Sequence, residues 1–214
     1  TGNGRCNLSN DDLSLQHFHG EDPSFAQPAL DQYSGLRTIG FFRSLGLLCR
    51  TEEGRIYPYS LQASAVLDIL RQATSRLGVR TETNFAVNKL KRLPQPSSGF
   101  ELTEADGRSV QATCVVAATG GLAAPGLGCD GSGYALLGAF GHRRTAVFPA
   151  LVQIRTETGR VKGLSGIKFE GTATVLHDGR PVRTAAGEIL FTDYGLSGPP
   201  LLELSRTVAA ALLA

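Results

Sequence analysis

The sequence predicts an α/β fold, α+β when the whole chain is taken together, and three observations carry that expectation. Ala63, Val66, Leu67, Leu70, Ala73 and Leu77 recur at helical spacing. Cys114-Val115-Val116-Ala117-Ala118 is apolar on both faces, as a strand covered by helices on both sides requires. From Phe148 onward the apolar residues alternate between turn signals, as antiparallel strands do.

Bulk properties limit the function classes. The 214 residues are 42% hydrophobic, enough for a real core, and the net charge of +2 comes from 21 basic and 19 acidic residues that are interspersed. No charge run tracks a phosphate backbone, so no nucleic-acid partner is expected. Without a long apolar stretch or an export signal, the expectation is a cytoplasmic protein with no membrane partner and a small-molecule substrate. Cys6, Cys49, Cys114 and Cys129 form no CxxC pair, and reduced thiols are expected.

Taken in order, Thr1 to Asn7 is a polar, glycine-rich loop, and Phe41, Phe42, Leu45 and Gly46 mark a helix closing on a glycine. A short strand follows, Glu53-Gly54 turns, and Ser60 is placed to cap the periodic helix that Gly78 ends. Val79 to Thr83 reads as a strand leading into Phe85 to Leu93. Pro94 to Gly99 turns into Phe100 to Thr103, and Asp106-Gly107 signals a hairpin before Val110. The buried run ends in Thr119-Gly120-Gly121, a loop that precedes a helix from Tyr134 to Phe140. Beyond it, Leu151 to Arg155, Ile167 to Leu176, Val182 to Thr184 and Glu188 to Phe191 read as strands, with a turn at Asp178-Gly179 and a terminal helix from Pro200. A domain boundary is expected near His142 to Pro149, giving domains 1–147 and 148–214.

Three glycine loops could hold a ligand. Gly2-Asn3-Gly4-Arg5-Cys6-Asn7 offers open backbone N–H groups, one fork donor and two amides, a set suited to a diphosphate or polyol. The competing reading is a surface turn. Thr119-Gly120-Gly121 lets backbone approach a ligand at a strand tip, against the competing reading of a plain strand exit. Gly126-Leu127-Gly128-Cys129-Asp130-Gly131 matches GxGxxG, but Pro125 precedes it and no acid follows where a ribose partner is needed. A loop that Asp130 or Ser132 closes by capping the next helix is the better reading, and a nicotinamide-binding reductase built on it is the weakest hypothesis. His17 and His19 lack a completing carboxylate or thiolate, so no metal site is expected.

In this order, Gly2-Asn3-Gly4-Arg5-Cys6-Asn7-Leu8-Ser9-Asn10, Gly54-Arg55-Ile56-Tyr57-Pro58-Tyr59-Ser60, Ala118-Thr119-Gly120-Gly121, Gly133-Tyr134, Gly141-His142, Pro149-Ala150-Leu151, Gly187 to Thr192 and Tyr194 to Pro199 resemble bacterial aminoacetone-oxidase-like flavoproteins. These are NAD(P)/FAD-dependent oxidoreductases with a glutathione-reductase-like, two-dinucleotide-domain fold. The resemblance implies a partial FAD-binding Rossmann-like domain with a β-meander, then part of an inserted antiparallel β-rich domain that serves the substrate. It implies FAD as cofactor, NAD(P)H as a candidate co-substrate, and hydride transfer between flavin and a small organic or amine substrate. Gly4, Arg5, Cys6 and Asn7 would lie at the cofactor, the Val87 backbone would read the adenine, and Thr119, Gly120 and Gly121 would cover the flavin nucleotide. Asp130, in a stretch where relatives carry Ser-Thr-Gly-Asp-Gly-Tyr, is a further contact. The resemblance also implies that N- and C-terminal flavin segments lie outside these residues, so this stretch by itself is expected to be inactive. The alternative from another class is a non-catalytic interaction module with a vestigial flavin loop.

Overall fold

The computed structural model describes residues 4–94 and 98–213; Thr1, Gly2 and Asn3 of the first loop and part of the expected 94–99 turn lie outside the described residues. The chain divides into two units, residues 1–86 and 87–214.

In the first unit, β1 (Ser9–Asn10) leads through two 3-10 turns to α1 (Gln27–Gln32) and α2 (Gly35–Ser44), then β2 (Cys49–Glu52), β3 (Arg55–Pro58) and α3 (Ala63–Arg76). The strands form one antiparallel sheet in the order β1-β3-β2, with Glu52 opposite Arg55 and Ser9 opposite Ile56. Helix α2 starts on Ser34, whose hydroxyl accepts the Arg37 N–H, and closes as expected at Gly46, whose φ of +98° favours glycine. The periodic helix forms too, and its stripe turns Val66 and Ala73 inward while Leu77 stays exposed. Its cap differs from the expectation. Gln62 is the N-cap residue, and the Ser60 hydroxyl only accepts the Gln62 N–H at 3.4 Å. Leu47, Ile56, Val66 and Ala73 make the small core of this unit.

The expected strand at Val79 to Thr83 does not form. This stretch is irregular, and no strand among the described residues pairs with it. A strand without a ladder has nothing to offset its conformational cost, and here Arg80 instead pairs locally with Glu82.

The second unit opens with the meander β4 (Val87–Arg92), β5 (Phe100–Glu104) and β6 (Ser109–Ala112), antiparallel in that order. Leu90 faces Leu102, which faces Val110, and the hairpin between the last two strands turns at Asp106-Gly107 as expected. The expected parallel strand at Cys114 to Ala118 is absent: the segment is unpaired, and every strand pairing among the described residues is antiparallel. One side of it is still used, since Val115 and Ala117 line a cavity of about 300 Å³ with Leu90, Phe100 and Phe140, while Val116 is 88% exposed rather than covered by a helix. A buried parallel strand needs a neighbour on each edge, and no described strand supplies one.

Helix α4 (Ser132–Gly138) follows the glycine loops. An irregular stretch at 142–150, where the expected division at 147/148 falls, leads to β7 (Ile154–Arg155), α5 (Thr158–Val161), β8 (Lys168–His177), β9 (Arg180–Thr192), β10 (Gly195–Ser197) and α6 (Pro199–Leu213). The sheet order is β7-β10-β9-β8, all antiparallel. Two strands expected at Val182 to Thr184 and Glu188 to Phe191 are one. Ala185 and Gly187, two apart on one face of the strand, are small because this face receives α6: Ala185 is buried, and a Cβ on Gly187 would lie 3.4 Å from Pro200, while Ala186 faces the other way and is exposed.

Leu201 and Leu204 of α6 are 4% and 1% exposed against Ile189 at 5%, and this layer is the main core of the second unit. Burial of apolar surface holds it, with Arg183 paired to Glu203 at its edge. Replacing Leu204 with Ala should therefore cost about 2–5 kcal/mol, read as a lower urea midpoint. Replacing Leu212, 81% exposed on the same helix, should shift stability by less than about 0.5 kcal/mol.

Candidate functional site

The residues expected to form a binding site fall in both units: Gly4, Arg5, Cys6 and Asn7 in the first, Val87, Thr119, Gly120, Gly121 and Asp130 in the second.

In the first unit the Gly4–Asn7 loop is tied at both ends. The Ala63 N–H, at the start of α3, donates to the Gly4 carbonyl at 2.6 Å, and the Leu8 N–H donates to the Ile56 carbonyl at 2.7 Å. Between these ties the backbone is contorted. Gly4 has φ of +74°, and Cys6, which has a Cβ to accommodate, has φ of +59°, a left-handed state that disfavours L-residues by about 1–2 kcal/mol. The space where a Gly4 Cβ would sit is open, with nothing within 4 Å. Cys6 thus holds a sparsely populated backbone state beside open space, and backbone N–H groups in such a loop have the chemistry to meet an anion.

Arg5 has partners that sequence reasoning did not supply. Its Nη2 donates to Glu52 Oε2, and its guanidinium lies 4.5 Å from the centroid of the Tyr57 ring. Arg50 reaches the other oxygen of Glu52 at 2.7 Å and sits 5.6 Å from the Tyr59 ring. The fork expected to meet a ligand is thus bound into an arginine, glutamate and tyrosine cluster on the β2–β3 hairpin. Cys6 and Cys49 are both free thiols, and burial pushes the Cys49 thiol above its usual range.

In the second unit, Thr119, Gly120 and Gly121 lie against the 128–134 segment. A Cβ on Gly120 would come within 2.8 Å of Cys129 Sγ, and one on Gly121 within 3.1 Å of the Tyr134 hydroxyl. Gly133 is buried in the first turn of α4, and a Cβ there would overlap Thr119 Oγ1 and stand 3.0 Å from its Cβ. The glycines thus let two chain segments touch, a need that neither ligand approach nor a plain strand exit anticipates. Asp130 accepts the Ser132 N–H at 2.9 Å, and this bond, with help from the Ser132 hydroxyl, holds its carboxyl below the usual range. Gly131, with φ of +82°, is the N-cap residue of α4. Neither Asp130 nor Ser132 fills that position, although Asp130 closes the turn leading into it.

The GxGxxG-like stretch is a loop. Pro125–Leu127 is one 3-10 turn closed by a bridge between Ala124 and Cys129, and no strand precedes it. Val87 opens β4 opposite Glu104, with a register shift before Lys89. The β-rich part of this unit holds a further feature: an apolar cavity of about 400 Å³ between the sheet and α6, bordered by Ile154, Phe169, Val175, Phe191, Leu196 and Val208. Phe169 and Phe191 stack within it at 5.6 Å.

One family model, that of the HI0933-like protein Rossmann domain, matches residues 1–192 of the chain. The chain belongs to the HI0933-like Rossmann-domain family. Its fold class is accordingly Rossmann-like α/β, with the antiparallel strands described above. Among curated proteins it is similar to a 3-dehydro-bile acid delta(4,6)-reductase of Clostridium scindens, with 39% identity over 212 residues, covering 99% of this chain and 51% of the relative. It is also similar to ribosomal RNA dihydrouridine synthases of Haemophilus influenzae, 26% identical over 96% of this chain and 51% of the relative, and of Escherichia coli, 25% identical over 96% and 50%. The chain spans about half the length of the curated relatives it matches.

The contact between Thr119 and Gly133 gives a direct check. Gly133→Ala should lower stability by about 1–3 kcal/mol because neither backbone can retreat without moving the loop. Gly138→Ala, on the same helix with nothing within 4 Å of the new Cβ, should be neutral or slightly stabilising. Urea unfolding of both variants measures the difference, and equal midpoints would mean that the two segments do not touch.

Proposed function

We propose that these residues are the central part of an FAD-dependent oxidoreductase that reduces a small apolar organic substrate by hydride transfer. The observation that carries the reading is the 39% identity over 212 residues with a reductase of an unsaturated bile acid, together with membership of a Rossmann-domain family. In this reading the backbone of Gly4, Cys6 and Asn7 holds the cofactor diphosphate and ribityl, with Arg5 beside them. Val87, Thr119, Gly120, Gly121 and Asp130, all in the second unit, are proposed as nucleotide contacts of that unit, with the Val87 backbone meeting the adenine. Bound FAD would supply the hydride chemistry, and the protein's part is placement and polarity. NAD(P)H is proposed as the reductant that recharges the flavin.

An apolar substrate is favoured over RNA by two features. The cavity bordered by Phe169 and Phe191 has about 400 Å³ of apolar volume, a size that suits a compact organic molecule. The 21 basic residues are interleaved with 19 acidic ones, which gives no stripe to follow a phosphate backbone. The RNA reading rests on the lower-identity synthases. An amine substrate, as in aminoacetone-oxidase-like flavoproteins, rests on motif order alone.

Purifying the product of the complete reading frame and recording its visible spectrum tests the proposal. Oxidised flavin bands at about 370 and 450 nm should be present, should bleach when NAD(P)H is added anaerobically, and should return when an unsaturated 3-keto steroid then takes the hydride. A folded, colourless protein that takes up no FAD would point to an interaction module and end the oxidoreductase reading.

A further inference from the structure

We infer that Glu52 is a positioning residue for the cofactor loop, acting on it through Arg5. The inference rests on the flavin reading above and adds a residue to it. Glu52 closes β2, 47 positions from Arg5, and its two carboxylate oxygens each take a different guanidinium: Oε2 accepts from Arg5, and Oε1 pairs with Arg50 at 2.7 Å. The Arg5 guanidinium also lies over the Tyr57 ring, 4.5 Å from its centroid, so the side chain is held by a carboxylate and by an aromatic ring. The Arg5 Nε is shielded and has no partner among the described residues, so Glu52 is the carboxylate that anchors this side chain.

Anchoring Arg5 also sets the charge next to the loop. Arg5 and Arg50 converge on one carboxylate, so the three groups sum to one positive charge. Without Glu52 two guanidiniums would face each other unpaired, and repulsion would swing Arg5 away from Tyr57. The loop would then lose the side chain that sits between its two left-handed residues, Gly4 and Cys6. Glu52 is 28% exposed and Arg5 40% exposed, and a solvent-accessible pair of this kind contributes little to global stability. Its effect should therefore be felt in how the loop presents its N–H groups rather than in whether the protein folds.

The experiment uses the full-length protein stripped of flavin and titrated with FAD, in wild type, Glu52→Gln, Glu52→Asp, Arg5→Ala and the Arg5→Ala/Glu52→Gln double variant. Glu52→Gln should weaken FAD binding roughly 10-fold, the scale seen when the partner of a ligand-orienting group is lost, with the apoprotein's urea midpoint unchanged. Glu52→Asp, which keeps the charge and draws it back by one methylene, should show a smaller loss. The double variant should bind no worse than Arg5→Ala alone, because the two residues act in series. FAD affinity equal to wild type in both Glu52 variants, or losses that simply add in the double variant, would overturn the inference while leaving the flavin reading intact. A wild-type protein that binds no FAD would overturn both.

Discussion

Strand β3 is the support from which the first unit's loop hangs, and three consecutive residues carry most of it, beside the Glu52 carboxylate of β2 that takes Arg5. Ile56 is 1% exposed and anchors the strand in the core, while its carbonyl accepts the Leu8 N–H where the loop ends. Tyr57 turns outward and carries the Arg5 guanidinium. Pro58 is buried, and its carbonyl accepts the Leu61 N–H as the chain turns toward α3, whose first N–H then fixes Gly4. A proline in the centre of a sheet would normally remove a ladder bond, but here it is the last residue of the strand, opposite Cys49. The loop is thus held by main-chain bonds at both ends and by one side chain in the middle.

The second unit solves a similar problem by contact. Thr119 and α4 approach so closely that only a glycine at 133 is tolerated, and Gly120 and Gly121 face Cys129 and Tyr134 in the same way. Packing of this kind brings the two segments into van der Waals contact through glycine, where a Cβ would have no room. Asp130 shows the complementary device, since its carboxylate takes the Ser132 N–H and shapes the entry to α4 from one exposed side chain.

Local signals were legible in the sequence, and non-local ones were not. Gly46 and Gly78 as helix ends, the Asp106-Gly107 and Asp178-Gly179 turns, and the 63–77 helical stripe all depend on residues within a few positions, and each forms as read. The run at 114–118 was read as a paired strand because apolar residues on both faces usually mean burial in a sheet. Pairing is a property of neighbours, and among the described residues none flanks it. Between 184 and 188 the reverse holds: two strands are expected and one forms, its small residues Ala185 and Gly187 making room for α6. In the loops, glycine and arginine were visible while their partners were not. Glu52 lies 47 residues from Arg5, and the only local hint was its i, i+2 relation to Arg50, which puts both on one face of β2.

The arginine cluster changes what Arg5 can be asked to do. A guanidinium already paired to a carboxylate brings less net charge to a diphosphate than a free one, so attraction at a distance is a poor account of its role. Its planar fork, fixed by Glu52 and Tyr57, is better suited to holding backbone geometry. A loop whose ligand bonds come from main-chain N–H groups needs them to point one way before the ligand arrives, because ordering them on binding would consume affinity. The strained φ of Cys6 is the visible sign of that prior ordering. On this view the charge belongs to the scaffold, and the glycine backbone it steadies belongs to the site.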